Sequence, residues 1–223
     1  MEQTLVISEI FKSIQGETSR VGLPCTFVRT FGCNLDCVWC DTLYARTGRP
    51  GRAGEGTRMA VADVLRRVVA LGGRLTCITG GEPLIQPEGV CDLAQRLLES
   101  GRTVLLETNG TLDLAPVPQG VVTIMDVKCP GSGHTDVTLP SNLERLGAQD
   151  EVKFVIQDRA DFDWAVAFVR RHDLLARSQV LFSAVHGRLT HAALAEWILD
   201  SGLDVRLQFQ LHRLLWPEAD RGV

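Results

Sequence analysis

The chain has 223 residues, 45% of them hydrophobic and 22% charged, with a formal net charge of −4. That balance excludes a disordered chain, and the lack of any block of like charge excludes a basic nucleic-acid surface; the apolar fraction is enough for the core of one large domain. No apolar run approaches the ~20 residues that span a bilayer. The opening MEQTLVISEIFKS shows no basic and apolar leader, and seven cysteines, an odd number, suit a reducing compartment, so the expected location is the cytoplasm.

In chain order, short apolar runs rich in β-branched residues predict strands at 5–14, 25–31, 75–79, 103–108, 121–128, 152–156, 180–184 and 205–211. Spacing near 3.6 predicts the helices between them. Val61, Val64, Leu65 and Val68 make one apolar stripe; Val90, Leu93, Ala94, Leu97 and Leu98 make the next, closed by Gly101. Phe162, Ala165, Val166 and Val169 mark a third, and Leu194, Trp197 and Ile198 a fourth, between Thr190 as N-cap and Gly202 as terminator. These stripes are core. Residues 45–58, rich in Gly and Arg without apolar spacing, predict a mobile loop. No repeat or linker divides the chain, so residues 1–223 predict one domain. Repeated βα units close into a barrel or an open sheet. A full eight-fold barrel needs about 250 residues, so the fold expected is α/β, a partial TIM-like barrel of about six core strands. Its site would lie at the C-terminal strand ends.

Two motifs fall there. Cys33, Cys37 and Cys40 are spaced C-x3-C-x2-C. Three thiolates are one too few to fill a four-cysteine iron–sulfur site, which leaves one iron open to a ligand that is not protein. Zinc is the competing reading, but no second C-x-x-C follows. Disulfides suit small stapled scaffolds rather than a chain with this core. The strand at 75–79 runs into Thr79-Gly80-Gly81-Glu82-Pro83-Leu84. Two glycines leave the main chain open to a ligand, Glu82 adds a carboxylate suited to an ammonium, and Pro83 fits the first turn of a helix. Alone, that stretch also reads as an ordinary βα turn.

Together, Cys33, Cys37, Trp39 and Cys40 with Gly80–Pro83 resemble the radical S-adenosylmethionine enzymes, and the resemblance implies a radical SAM core. There, the open iron chelates the amino and carboxylate groups of S-adenosylmethionine, and the cleaved sulfonium yields a 5′-deoxyadenosyl radical. The protein orients and shields the cofactor pair. A wider set of residues is similar to the 7-carboxy-7-deazaguanine synthase family: 13–18 (SIQGET), 27–29 (FVR), 41–42 (DT), 105–110 (LLETNG), 125–133 (MDVKCPGSG) and 206–217 (RLQFQLHRLLWP).

This second resemblance implies a lyase acting on 6-carboxy-5,6,7,8-tetrahydropterin. Hydrogen is taken from C6, the ring contracts with loss of ammonia, and S-adenosylmethionine is regenerated with Mg2+ assisting, on the route to queuosine and other deazapurines. It also implies a 4Fe-4S cluster on Cys33, Cys37 and Cys40, and Mg2+ on Thr42. Cofactor contacts would come from Gly81, Glu82, Asp126, Lys128, Ser183 and His186. Substrate contacts would come from Ile14, Gln15, Gly16, Arg29, Thr79, His212 and Pro217, with short N- and C-terminal extensions binding the substrate. Asp126 and Lys128 would share one strand face, and Arg29 would pair with the substrate carboxylate. The implied partners are a flavodoxin or ferredoxin as electron donor and a second copy in a homodimer, with neither nucleic acid nor membrane. The chain departs from the family pattern at Arg213, where lysine is common, and at Ala184, where proline stands. Cys25, Cys77, Cys91 and Cys129 read as small buried apolar residues; His134, His172 and His191 read as surface or satisfied polar residues. Three alternatives share the cysteines: an activating enzyme that makes a glycyl radical on a partner protein, a simple electron carrier, and a zinc-stabilised domain.

Overall fold

The computed structural model describes residues 2–46, 56–219 and 221–223. Among the described residues, nine strands form one sheet: β1 (Thr4–Ile14), β2 (Pro24–Thr30), β3 (Thr57–Ala60), β4 (Leu75–Gly80), β5 (Thr103–Thr108), β6 (Val122–Asp126), β7 (Glu151–Ile156), β8 (Gln179–Ala184) and β9 (Arg206–Gln208). Their order is β3-β1-β2-β4-β5-β6-β7-β8-β9, so β3 and β9 are edges and the sheet is open. β1 runs antiparallel to β2 and β3, and the strands from β2 to β9 run parallel. The helices are α1 (Val61–Leu71), α2 (Pro87–Glu99), α3 (Pro140–Arg145), α4 (Arg159–Arg171), α5 (His191–Ser201) and α6 (Leu211–Leu215).

The strand period of two divides the core. One set of side chains, including Val28, Ile78, Val104, Met125, Phe154 and Phe182, packs under the helix stripes Val61/Val64/Val68, Leu93/Leu97, Phe162/Ala165/Val169 and Leu194/Ile198. The other set, Cys25, Phe27, Leu75, Cys77, Leu105, Val122 and Ile124, fills the concave face. The expected caps are present: Thr190 accepts from Ala193 N at 3.2 Å, and Gly202 ends α5 in the left-handed region at φ 65.

Some boundaries differ from expectation. Residues 47–55 of the expected mobile loop lie outside the described residues, while Thr57 and Arg58 belong to β3, an edge strand whose polar residues hide its pairing with β1. The last expected strand is cut to Arg206–Gln208, because Leu211 opens α6. Pro83 starts a 3-10 turn, Pro83–Ile85, and Pro87 starts the helix. Lys128 lies past the end of β6. Cys91 is half-buried, whereas Cys25, Cys77 and Cys129 are buried.

The connection 15–23 between β1 and β2 crosses the open side of the sheet. Ser19 donates to Glu151 through its N–H and its hydroxyl, Lys153 Nζ meets Glu17 at 2.7 Å, and Leu211 N donates to Gly16 O at 2.9 Å. The partial barrel stays open in its hydrogen-bond ladder, and side-chain and loop contacts bridge its open side.

Candidate active site

A cavity of about 490 Å3 opens at the C-terminal ends of the parallel strands and down the concave face. It brings together Ile14, Gln15, Gly16, Arg29, Cys33, Cys37, Cys40, Thr42, Thr79, Gly81, Asp126, Lys128, His186 and His212 on one wall surface. Glu82, Ser183 and Pro217 are not part of that wall. Ser183 is buried in β8, and Val185 and His186, just past the end of that strand, line the cavity; Pro217 is exposed beyond α6.

Gly81 needs to be glycine. A Cβ there would overlap the carbonyl oxygen of Gly32, and Glu82 N donates to that same oxygen at 2.8 Å. The end of β4 is thereby pressed against the residue before Cys33. The Glu82 carboxylate turns inward. It accepts from Leu84 N at 3.0 Å, Thr108 Oγ1 at 2.9 Å and Asn109 N at 2.7 Å. Burial pushes its carboxyl up, and these three donors pull against that. Glu82→Ala strands two buried amides and a hydroxyl, so a loss of about 3 kcal/mol is expected. Urea unfolding measures it; a native midpoint would contradict the role.

Three charged groupings organise the rest. Arg29 Nε donates to Glu9 Oε1 at 2.8 Å, and Tyr44 donates its hydroxyl to the same oxygen at 2.6 Å. Phe11 and Tyr44 lie about the guanidinium at 6.0 and 5.9 Å. Lys153 sits between Glu17 and Asp126, at 2.7 and 3.9 Å. Burial works to lower its pKa, and Glu17, Asp126 and Glu107 overcome that and hold the ammonium well above its ordinary value. Lys128 pairs with Asp126 at 2.9 Å. Thr42 donates its hydroxyl to Asp41 Oδ1 at 2.8 Å. Desolvation raises the Asp41 carboxyl, but Thr42 and the charges of Arg29, Lys153 and Arg213 win, and it lies below the usual range.

The donor set fits a cluster and its cofactor. Cys33, Cys37 and Cys40 are free thiols on one cavity. Burial pushes Cys33 and Cys37 up, and Lys128 opposes this at both; metal ligation takes the thiolate form. Among the described residues, no three Cys, His, Asp or Glu side chains gather about a single ion; in a cluster, each thiolate takes its own iron. Four wall residues, Gln15, Arg46, Asp126 and Arg213, hold buried atoms without a protein partner among the described residues: Nε2, Nη1, Oδ1 and Nε. Buried polar atoms are ordinarily satisfied, so a polar ligand suits this wall.

Several contributors were missed in the sequence. Glu9 stands opposite Arg29 in the β1–β2 register, so pairing the two strands would have revealed it. Lys153 was visible as a lone cation inside the apolar strand EVKFVI. Glu107 accepts from Thr79 Oγ1 at 2.9 Å on the cavity wall. Arg188 lies over Trp39 at 5.5 Å. His134 is satisfied, as expected, but its partner is Asp36 of the cysteine loop, at 2.9 Å.

Comparison with known proteins agrees with this geometry. A family model described as the radical SAM superfamily matches residues 27–121. A 7-carboxy-7-deazaguanine synthase of Koribacter versatilis is 43% identical, covering 97% of this chain and 99% of the relative. One from Chlorobaculum tepidum is 39% identical over 100% and 99%. The crystal structure of QueE from Escherichia coli shares the fold with a TM-score of 0.74 at 23% identity, covering 94% of this chain and 95% of that one. A thiol triad and a glycine strand end share one cavity of an open, mostly parallel sheet, and the relatives match along nearly its whole length, so the chain belongs to the 7-carboxy-7-deazaguanine synthase family of radical SAM enzymes.

Proposed function

We propose that this chain converts 6-carboxy-5,6,7,8-tetrahydropterin to 7-carboxy-7-deazaguanine with loss of ammonia, in queuosine and deazapurine biosynthesis. The observation that carries this reading is that one cavity holds both the three-thiol loop with the Gly81 strand end and, on other elements, the Arg29 guanidinium beside Gln15, Gly16 and Thr79. A 4Fe-4S cluster on Cys33, Cys37 and Cys40 would supply, with S-adenosylmethionine, the radical that takes hydrogen from the substrate.

The chain's own residues bind and orient. Gly81 offers main chain to the methionine end of the cofactor, with Asp126, Lys128 and His186 along the same wall; Glu82 and Ser183 support that wall from behind. Arg29 has Nε tied to Glu9 and Nη1 directed at the Gly80 carbonyl oxygen at 3.5 Å, which leaves Nη2 for a substrate carboxylate. Gln15 Nε2 is a donor without a protein partner among the described residues, placed for the pterin. The connection 15–23 and His212 close the open side of the sheet over it.

Thr42 and the low-pKa Asp41 make a hard-oxygen corner suited to Mg2+ shared with the substrate carboxylate and water. Thr42→Val should therefore weaken the response to Mg2+ about tenfold. A magnesium titration of turnover measures this, and a native titration curve would contradict the assignment.

The single-domain reading rests on one sheet with no break along it. Exposed Leu214, Leu215 and Trp216 support self-association as a homodimer. Exposed Val38, inside the cysteine loop, gives a flavodoxin or ferredoxin access to the cluster. No helix among the described residues is long and apolar enough to cross a membrane, which accords with action in the cytoplasm. The glycyl-radical activating alternative is not favoured, because relatives 43% and 39% identical along nearly the whole chain are 7-carboxy-7-deazaguanine synthases. Anaerobic turnover with products identified by mass tests the reading: carboxydeazaguanine supports it, and 5′-deoxyadenosine without that product contradicts it.

A further inference from the structure

The cysteine loop is fastened to the fold from two flanks. On one, Asp36 Oδ1 meets His134 Nε2 at 2.9 Å and Val38 N donates to Ser132 O at 3.0 Å. On the other, Asn109 Nδ2 donates to Asn34 Oδ1 at 3.0 Å, and Asn34 Nδ2 donates to Thr111 Oγ1 at 2.7 Å. Asn34 is adjacent to Cys33, so this second flank reaches the first thiol directly.

Asn109 is itself held rigidly. It is buried just past the end of β5, and its N–H donates to Glu82 Oε2 at 2.7 Å. Its Oδ1 accepts from Thr111 N at 3.0 Å and from Thr111 Oγ1 at 2.7 Å. A continuous path of short polar contacts therefore runs from Gly81 and Glu82, through Asn109, to Asn34 and Cys33. It joins the strand end proposed for the cofactor to the loop proposed for the cluster, and no member of the path from Glu82 to Asn34 carries a positive charge.

We propose that Asn109 is a positioning residue that sets the spacing between the three-thiol loop and the glycine end of β4. It thereby sets how S-adenosylmethionine lies against the cluster. This rests on the cluster and cofactor sites proposed above. The physical need is strong, because a misplacement of about 1 Å between reacting groups costs on the order of 100-fold in rate. Cys33 alone does not fix that spacing, since its loop is exposed at Asn34, Asp36 and Val38. The buried Asn109 supplies the fixed reference.

The test compares Asn109→Ala, Asn34→Ala and Asn109→Asp with the native chain after anaerobic reconstitution. Four quantities are read: iron per chain, equilibrium affinity for S-adenosylmethionine, the change that S-adenosylmethionine produces in the EPR spectrum of the reduced cluster, and 5′-deoxyadenosine formed per product. Both alanine variants are expected to keep native iron, because all three thiols remain. Their cofactor affinity should fall about tenfold or more, the size expected for the loss of two side-chain hydrogen bonds in Asn34→Ala and three in Asn109→Ala. The EPR change should be altered, and 5′-deoxyadenosine should be formed in excess of product. Asn109→Asp should fall between native and Asn109→Ala, because its oxygens still accept from Thr111 and the Asn34 amide can turn over to donate to it, while the added charge lies buried beside Glu82.

Native affinity and EPR response in both alanine variants would overturn the proposal. So would damage in Asn109→Asp equal to that in Asn109→Ala, or loss of iron from both alanine variants, which would mark a role in cluster retention alone. If Asn109→Ala fails to fold, Asn34→Ala, which leaves the buried turn whole, decides. Affinity and EPR need no pterin, so a wrong substrate assignment would show as a native chain that binds and cleaves the cofactor but makes no carboxydeazaguanine.

Discussion

Cys37→Ala is expected to lose the cluster and, with it, all cleavage of S-adenosylmethionine. Three thiols are proposed to hold the cluster, and among the described residues no other cysteine lines the cavity to replace one. Cys129 is buried, and burial beside Asp161 and Asp126 pushes its thiol well above the usual value. Cys25 and Cys77 lie in the packed concave floor, where burial pushes Cys25 up to about 12. With two ligands left, the cluster has no stable attachment at the cavity, and turnover should fall to background while the sheet still folds. Iron content, the visible absorption of the reconstituted protein and circular dichroism measure the three parts of this result. Native iron with native cofactor cleavage would remove Cys37 from the ligand set.

Arg29→Ala should act on the substrate alone. The guanidinium is held by Glu9 and flanked by Phe11 and Tyr44, so it is oriented before any ligand arrives. A charge-assisted hydrogen bond contributes about 1.5–3 kcal/mol, and a carboxylate paired with the guanidinium would lose at least one. The loss is larger here because alanine leaves the Glu9 carboxylate facing the substrate carboxylate without its cation. KM is expected to rise about 100-fold, with iron content and substrate-independent cofactor cleavage unchanged. Arg29→Lys should recover only part of this, since an ammonium cannot serve Glu9 and a carboxylate with the same planar fork. Normal turnover of Arg29→Ala at low substrate would contradict the carboxylate assignment.

The parallel strands were legible because buried strands read as apolar runs and their helices as stripes; Val61/Val64/Val68 and Leu194/Ile198 lie where the spacing places them. The edges were not. β3 is four residues of mixed polarity beside a Gly/Arg-rich segment, and its identity comes from pairing with β1, a long-range contact that local pattern does not carry. α6 was not predicted, and its first residue, Leu211, fell at the end of the expected last strand, because LHRLL suits either element over so short a length. Within the site, the residue types of the motifs were readable, but their directions were not. Glu82 looked suited to an ammonium because a carboxylate follows two glycines; the fold turns it inward onto Asn109, Thr108 and Leu84. Glu9, Lys153 and Asn109 act through partners 20, 136 and 75 positions away in the chain, separations that only the sheet order brings together.

The most direct test of the shared cavity is label transfer. With substrate deuterated at C6, reductant, S-adenosylmethionine and Mg2+, the account predicts deuterium at the 5′ position of recovered S-adenosylmethionine or 5′-deoxyadenosine, together with carboxydeazaguanine and one ammonia per product. Product formed without deuterium in the adenosyl group, or cofactor cleavage that is indifferent to the pterin, would contradict a single site in which Arg29 and the cysteine loop serve the same reaction.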